Sequence, residues 1–292
     1  MFSTNGVPAV LETLGVLVAS EGIESPPTGG PVARLARSWQ AYIRRREPAI
    51  PVLDADYGQL PVYIGQGPDR QALLKAFDRA CRIDAVNYEV PANTPEDASD
   101  LRRSEERIRA ALDVLAVEWS QIRSLFGVLL PVVVLAPSHG LAGGTASSVP
   151  GVLWAATKPT WTDVDVQEFL LHELVHTTLF MEERRHGFYR DMRLLLVEEN
   201  LTPSAIRRDR RPLDKVLHSI VVATEILLAR ERLGAFAVQD RALHPDTDTL
   251  RAGAVRSLSA VQALDLEQLL MPRPIEILET CGAQLNRIPV ER

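Results

Sequence analysis

The hydrophobic positions of the chain recur mainly every three to four residues, which is the spacing of amphipathic helices. Bounded by proline, glycine and capping residues, this pattern predicts helices over about 8–20, 31–47, 69–85, 94–126, 164–181, 212–233, 247–270 and 273–286. Two β-branched apolar runs, 128–135 and 151–156, break the helical spacing and predict strands. We therefore expect a mainly helical α+β protein with a small antiparallel sheet.

Segments rich in glycine and proline predict the connections. Residues 138–148 join the two predicted strands and lack the Gly-Lys-Ser/Thr of a phosphate loop, so we interpret them as a hairpin connection with His139 at the surface. Residues 48–68 predict an irregular stretch with a short extended piece at 62–64.

The predicted helix 164–181, for which Asp163 is a suitable cap, contains an HExxH motif formed by His172, Glu173 and His176. Histidines four residues apart lie one turn apart on the same face of a helix, so both imidazoles can reach one metal ion. Glu173 lies on a flank from which it can contact a metal-bound water. The motif therefore predicts a zincin-like metal helix beside the small sheet, and a site that needs a third protein ligand.

The residues after the motif limit the type of site. A metzincin would carry glycine and a third histidine where this chain has Leu179 and Glu182, so that subclass is excluded. A thermolysin-like site would instead take a glutamate from a second helix. The glutamates available for that role are Glu198, Glu199 and Glu225.

Two histidines are further candidates for the third ligand. His186 lies at a charged helix end, where a solvated or capping role is expected. His218 lies in an apolar helix that begins at Pro212, and a buried imidazole there needs a polar partner. We therefore favour His218 as the ligand, with Glu225 two turns further along the same face as a ligand or as a hydrogen-bond partner of an imidazole.

Composition excludes several classes of function. A chain of 292 residues with 46% apolar and 24% charged residues is typical of a folded enzyme, and a net charge of −6 gives no general attraction to nucleic acid or anionic lipid. No stretch approaches the roughly 20 apolar residues of a membrane span. The apolar segment 7–19 contains Glu12 and lacks a basic flank, so we expect no signal peptide. Cys81 and Cys281 have neither metal-site nor disulfide spacing, which favours the cytoplasm.

We expect three parts that form one compact unit. They are an N-terminal helical region over 1–126, a metal-binding catalytic core over 127–240, and C-terminal helices over 241–292 that pack on the core.

The HExxH motif and the segment 204–218 together resemble the HExxH-type peptide β-hydroxylases of ribosomal peptide natural-product pathways. Members of that family carry a loop of the form S-P-W-R-x-D-x-R-P-L, followed by a short helical lead to histidine or glutamine. The residues that fall on this pattern are Arg207, Asp209, Arg211, Pro212, Leu213 and His218. Ala205, Ile206 and the pair Asp214-Lys215 depart from it, where proline, tryptophan and a glycine pair are usual. The similarity covers about residues 128–235.

The resemblance implies an Fe(II)- and 2-oxoglutarate-dependent dioxygenase that uses O2 to hydroxylate a β-carbon in a ribosomally made precursor peptide. It implies iron ligands at His172, His176 and His218. Such an enzyme also needs a cation for the distal carboxylate of 2-oxoglutarate, and a guanidinium can bond both of its oxygens. Arg207 and Arg211 are the candidates for this clamp, and Glu173 is expected to orient a ligand or an iron-bound water.

The main alternative is a zinc metallopeptidase, in which His172, His176 and either His218 or a glutamate bind zinc and Glu173 is the general base. A peptidase has no general need for a dicarboxylate clamp, so the arginine-rich loop favours the oxygenase. A third possibility is a non-catalytic, peptide-binding partner of another modifying enzyme. We expect a peptide substrate, and neither a nucleic-acid nor a membrane partner.

Overall fold

The computed structural model describes residues 6–24, 28–51, 61–83, 98–136, 143–234 and 241–288. Within these ranges the helices are α1 (Val7–Ser20), α2 (Pro31–Arg46), α3 (Gly67–Ile83), α4 (Ala98–Glu118), α5 (Ser120–Leu129), α6 (Asp163–His186), α7 (Leu213–Arg232), α8 (Thr247–Gln262), α9 (Leu266–Leu269) and α10 (Pro272–Arg287). The strands are β1 (Val62–Ile64), β2 (Val132–Leu135), β3 (Gly143–Ala146), β4 (Val149–Ala155), β5 (Thr202–Pro203) and β6 (Arg210–Arg211). The predicted mainly helical α+β class is confirmed.

The main sheet is mixed, and in this respect the prediction was wrong. Its strand order is β1-β2-β4-β3, with β1, β2 and β4 parallel and only β3 antiparallel to its neighbour β4. The two apolar runs therefore do not form a hairpin with each other. They are central parallel strands covered on both faces, which explains why β2 and most of β4 read as continuous apolar runs. The glycine-rich segment contributes β3, and its first part, 137–142 with His139, lies outside the described residues.

The helices α1, α2, α3, α7 and α10 begin and end within two residues of their predicted bounds. The helix predicted over 94–126 begins outside the described residues, and its described part is divided into α4 and α5 at Trp119. Trp119 leaves helical geometry, with φ −151° and ψ 63°, and its ring packs in the protein under the guanidinium of Arg232. Packing of one large side chain thus overrides the local helical pattern. The predicted helix 247–270 is likewise divided, into α8 and α9.

Helix α6 lies at the centre of the fold, in contact with α1, α4, α7 and β3. It begins with a capping box in which the Thr162 hydroxyl accepts from the Asp165 N–H and the Asp165 carboxylate accepts from the Thr162 N–H. Thr162, not Asp163, is therefore the cap. Strand β1 of the N-terminal region pairs with β2, and the C-terminal helix α8 packs on α7. No helix in the described ranges is long and apolar enough to cross a membrane.

Candidate metal centre

His172 and His176 face each other across one turn of α6. Their Nε2 atoms are 3.0 Å apart, so both can lie about 2.1 Å from a single ion. The His172 side chain keeps 21% of its surface exposed, which leaves the pair accessible from solvent. The two nitrogens predicted to bind a metal are thus brought together as the four-residue spacing requires.

His218 reaches this pair from α7. Its Nε2–H donates to Oε1 of Glu183 at 2.9 Å, and the hydroxyl of Tyr189 donates to the same oxygen at 3.0 Å. The other nitrogen, Nδ1, is therefore left with a lone pair, and it lies 2.9 Å from Nδ1 of His176. The structure places His218 beside the predicted site, next to Nδ1 and not Nε2 of His176. In the described part of the chain, no three His, Cys, Asp or Glu groups are placed to hold one ion, so the ligand role of His218 stays a prediction.

His244 completes a cluster of four imidazoles, and sequence reasoning missed it. It precedes Pro245 in a segment without helical or strand periodicity, a setting typical of surface residues, yet it is only 3% exposed. Its Nε2 lies 2.9 Å from Nδ1 of His172, and its Nδ1–H donates to Oε2 of Glu168 at 3.0 Å. The only sequence signal is indirect: Glu168 lies four residues before His172 and so extends the polar face of α6.

Glu168 is a buried anion that binds several cations. Arg230 donates to both carboxylate oxygens, at 2.7 and 3.0 Å, and Arg241 also forms an ion pair with it. Burial alone would raise the pKa of Glu168, but the hydrogen bonds from His244 and Arg230 outweigh burial and hold the pKa at about 2. Glu168 therefore stays ionised and keeps Nδ1 of His244 protonated.

The contacts of the cluster require one more hydrogen, or another cation in its place, than four neutral imidazole rings supply. They form a chain in the order Glu168, His244, His172, His176, His218 and Glu183. Each of these five contacts needs one hydrogen or another cation, and four neutral imidazoles carry only four ring hydrogens. Because the outer rings donate to carboxylates, the inner rings donate through Nδ1. The Nε2 atoms of His172 and His176 then face each other as two lone pairs.

A transition-metal ion is one cation that can fill this gap. Burial lowers the pKa of His172 well below 6.5, and a positive charge on a protonated His244 or on Arg207 lowers it further. Burial likewise lowers the pKa of His176, with a further contribution from the charges of His172 and His218. Protonation of either inner ring is thus disfavoured, whereas a pair of imidazole lone pairs suits zinc, iron and similar transition metals.

Glu173 lies beside the inner pair and is held by β3. Its Oε2 accepts from both the backbone N–H and the hydroxyl of Thr145, each at 2.9 Å, and its Oε1 is 4.0 Å from Nε2 of His172. Burial raises the pKa of Glu173 to about 7, although the bonds from Thr145 oppose this shift. The predicted catalytic glutamate therefore has one oxygen fixed and one oxygen close to the metal-binding nitrogens.

The arginine-rich segment forms a hairpin made of β5, β6 and the tip 204–209, which we call the arginine hairpin. The N–H of Ser204 donates to the carbonyl of Asp209 at 2.8 Å, and Arg208 adopts a positive φ of 67° at the turn. The N–H of Ala205 donates to the hydroxyl of Ser219 at 3.0 Å, directly beside His218 in α7. The hairpin is thus anchored on the helix that carries His218.

The two candidate clamp residues differ in their surroundings. Arg211 is paired with Asp209, with its Nε 3.4 Å from the carboxylate. Arg207 is exposed and makes no ion pair within the described residues, and its charge lowers the pKa of His172. The charge of Arg207 thus acts on the cluster, whereas Arg211 is engaged by Asp209.

A largely apolar cleft lies beside Phe180 of α6. It is lined by Leu17, Trp39, Tyr42, Thr145, Ala146, Ser147, Val149, Pro150, Gly151, Val152, Thr177, Phe180, Met181 and Arg184. Phe180 connects the two features, because its ring stacks on His176 and packs against His218, with centroids 6.0 and 5.2 Å apart. Phe180 is thus shared by the cleft and the imidazole cluster.

The other predicted candidates are not brought into the cluster. Glu198 and Glu199 are exposed on a single 3-10 turn. His186 is exposed at the end of α6, with its nearest carboxylate, Glu182, at 3.7 Å. Glu225 is buried in α7, but the four imidazoles do not contact it.

No protein-family model matches this chain, and no curated protein matches it significantly. The function proposed below therefore depends on the geometry of the site and on the resemblance of the HExxH and arginine-rich segments.

Proposed function

We propose that this protein is an Fe(II)- and 2-oxoglutarate-dependent dioxygenase that hydroxylates a β-carbon of a residue in a ribosomally made precursor peptide. The observation that carries this proposal is a pair of imidazole Nε2 atoms that face each other at 3.0 Å, together with an arginine whose charge acts on His172. The first feature suits a transition metal, and the second suits an anionic co-substrate.

His172 and His176 would hold the iron through Nε2, with His218 as the third ligand. Glu183 occupies Nε2 of His218 and leaves its Nδ1 without a hydrogen. Because this Nδ1 lies 2.9 Å from Nδ1 of His176, His218 would have to exchange that contact for the metal in order to act as a ligand. Three protein ligands on one face leave the remaining positions for a 2-oxo acid and O2, and iron(II) supplies the oxygen-activating chemistry when bound.

Arg207 is the proposed clamp for the distal carboxylate of 2-oxoglutarate. Its guanidinium can form two parallel hydrogen bonds to a carboxylate and stays charged at all relevant pH values. The hydrogen bond between the Ala205 N–H and the Ser219 hydroxyl anchors the backbone of the arginine hairpin beside the helix that carries His218. Arg211 is less suited, because Asp209 already binds it.

The apolar cleft is the proposed site for a side chain of the peptide. Thr145 and Phe180 line it and contact Glu173 and the imidazoles respectively, so a residue bound there would present its β-carbon near the metal. We propose that the reaction occurs in the cytoplasm, in keeping with the two cysteines that lack disulfide spacing.

A zinc metallopeptidase is the second candidate, and Glu173 is the observation that favours it. A carboxyl with a pKa raised to about 7 and one oxygen near the metal-binding nitrogens suits a general base acting on a metal-bound water. The arrangement of α6 beside the antiparallel edge strand β3 is also reminiscent of zincins, although this likeness concerns shape and not chemistry.

The test is addition of iron(II) and 2-oxoglutarate to the metal-free protein under anaerobic conditions. The oxygenase should develop a weak charge-transfer band in the visible range, which succinate in place of 2-oxoglutarate should not produce. Exposure to O2 with a candidate precursor peptide should then add one oxygen to the peptide by mass spectrometry. Absence of the band, together with zinc-dependent cleavage of a peptide, would establish the peptidase instead.

A further inference from the structure

We infer that His244, held by Glu168, is a positioning residue of the metal centre that acts through His172. Its Nε2 accepts the Nδ1–H of His172 and so directs the Nε2 lone pair of His172 towards the metal. This inference rests on the metal site proposed above, and it is independent of whether that site oxidises or hydrolyses its substrate.

The hydrogen-bond directions follow from the partners at the end of the chain of contacts. A carboxylate only accepts, so Nδ1 of His244 carries the hydrogen in its 3.0 Å contact with Glu168. In the proposed arrangement the other nitrogen of His244, Nε2, carries the lone pair, and it lies 2.9 Å from Nδ1 of His172. Nδ1 of His172 must donate, and the metal-binding nitrogen of that ring is left unprotonated.

The backbone on both sides of His244 is held by hydrogen bonds to side chains of α6 and α7. Oδ1 of Asp165, one turn before Glu168 on α6, accepts from the backbone N–H groups of Ala242 and Leu243, both at 3.0 Å. Arg230, which binds Glu168 on both oxygens, also donates to the carbonyl of Pro245 at 2.9 Å. The residues on both sides of His244 are thus fixed to the metal helix or to its ion pair.

The fixed position of His244 also fixes the hydrogen-bond acceptor of His172. Helix α6 carries His172 and also Asp165 and Glu168, the two acids that fix His244. The position of His244 relative to His172 is therefore set by a single helix. A metal-binding imidazole whose second nitrogen donates to a fixed acceptor is held in one tautomer and orientation, and loss of such a partner typically weakens metal binding about 10- to 100-fold.

The test compares metal affinity in three variants, with cobalt(II) and zinc as probes in competition with a chelator. His244→Phe removes the acceptor while keeping a ring of similar shape, and it should weaken binding of both metals about 10- to 100-fold. His244→Gln keeps an acceptor oxygen and should recover part of this loss. The visible spectrum of bound cobalt(II) should also change in His244→Phe, because the orientation of one ligand changes.

Glu182→Gln is the matched control for a purely structural effect. Glu182 is another buried carboxylate of α6 with an arginine partner, Arg273 at 2.8 Å, but it contacts none of the four clustered imidazoles. This variant should lose stability and keep the wild-type affinity and cobalt spectrum. Equal weakening in Glu182→Gln and His244→Phe would overturn the inference, because the loss would then report on stability alone.

A measurement on the unmutated protein covers the case in which His244→Phe does not fold. Nitrogen-15 NMR of the zinc-loaded protein should show a hydrogen on Nδ1 of His172, and of His244 as well. A hydrogen-free Nδ1 of His172 would overturn the inference. If wild type binds zinc and His244→Phe binds it equally tightly, this inference alone is overturned. If wild type binds no metal, the proposed function is overturned too.

Discussion

His218 and His244 occupy equivalent places at the two ends of the imidazole cluster, yet the protein holds them by different means. Each gives one N–H to a carboxylate of α6 and turns its other nitrogen to an inner histidine. His218 is part of the long helix α7, so its backbone is already fixed. His244 lies in the turn before α8, and its position depends on ion pairs and hydrogen bonds.

Their carboxylate partners differ accordingly. Glu183 keeps 23% of its side chain exposed and is shared only with the hydroxyl of Tyr189 among the described contacts. Glu168 is 4% exposed and neutralises Arg230 and Arg241 besides binding His244. The comparison indicates that a carboxylate beside an imidazole can serve the imidazole cluster alone, as at Glu183, or the cluster and the fold together, as at Glu168.

The sharpest test of this difference is the stability of Glu168→Gln and Glu183→Gln. Glu168→Gln leaves two arginines without their buried counter-charge, and we expect the free energy of unfolding to fall by about 3–5 kcal/mol. Glu183→Gln removes one charged hydrogen-bond partner at a partly exposed place, and about 1 kcal/mol should be lost. Urea unfolding of the metal-free proteins measures both. Similar losses in the two variants would show that the two ends of the cluster are equally important for the fold.

The pH dependence of stability gives a second view of Glu168. Its pKa is lowered from 4.5 to about 2 in the folded protein, where Arg230, Arg241 and His244 face it. The ionised form therefore adds stability that is complete above about pH 5 and is lost as the pH falls towards 2. The difference in unfolding free energy between wild type and Glu168→Gln should shrink by the order of 3 kcal/mol over this range. A difference that stays constant with pH would contradict the assigned ionisation.

The third prediction concerns metal affinity at the His218 end. If His218 is a ligand, His218→Ala should weaken zinc and cobalt(II) binding by more than about 100-fold, beyond the range expected for a residue that acts through a ligand. His218→Gln should retain more affinity, because its amide oxygen can replace the imidazole nitrogen. Chelator competition measures both variants. A loss in His218→Ala no larger than that in His244→Phe would make His218 a positioning residue for His176, as the observed Nδ1–Nδ1 contact alone would suggest.

The same comparison shows what the sequence could and could not predict about the site. His172 and His176 are fixed by helical spacing, and His218 stands out as one polar residue in an apolar helix, so local patterns were enough to bring them together. His244 carries no such signal, because its burial depends on a tertiary contact between a turn and a helix 76 residues earlier in the chain. Local sequence patterns do not show which distant residue forms a hydrogen bond with a given histidine.

The fold shows the same limit. Helix bounds such as Val7–Ser20 follow from capping and periodicity, and they were predicted well. The pairing of β2 with β1 and β4 depends on which distant segments meet, and a run of buried residues is compatible with either strand direction. The division of a predicted single helix at Trp119 likewise depends on packing that lies outside the local window.

The smallest predicted effect separates the two arginines of the arginine hairpin, and it also tests the oxygenase proposal. Arg207→Gln removes an unpaired cation beside His172, and the KM for 2-oxoglutarate should rise about tenfold or more, equivalent to about 1.4 kcal/mol or more of binding. Arg211→Gln is a matched control in the same hairpin, and because Asp209 already neutralises Arg211, the KM should change less than about threefold. Metal affinity should be unchanged in both. A variant at Arg207 that loses iron, or equal effects at the two positions, would contradict the assignment of Arg207 as the carboxylate clamp.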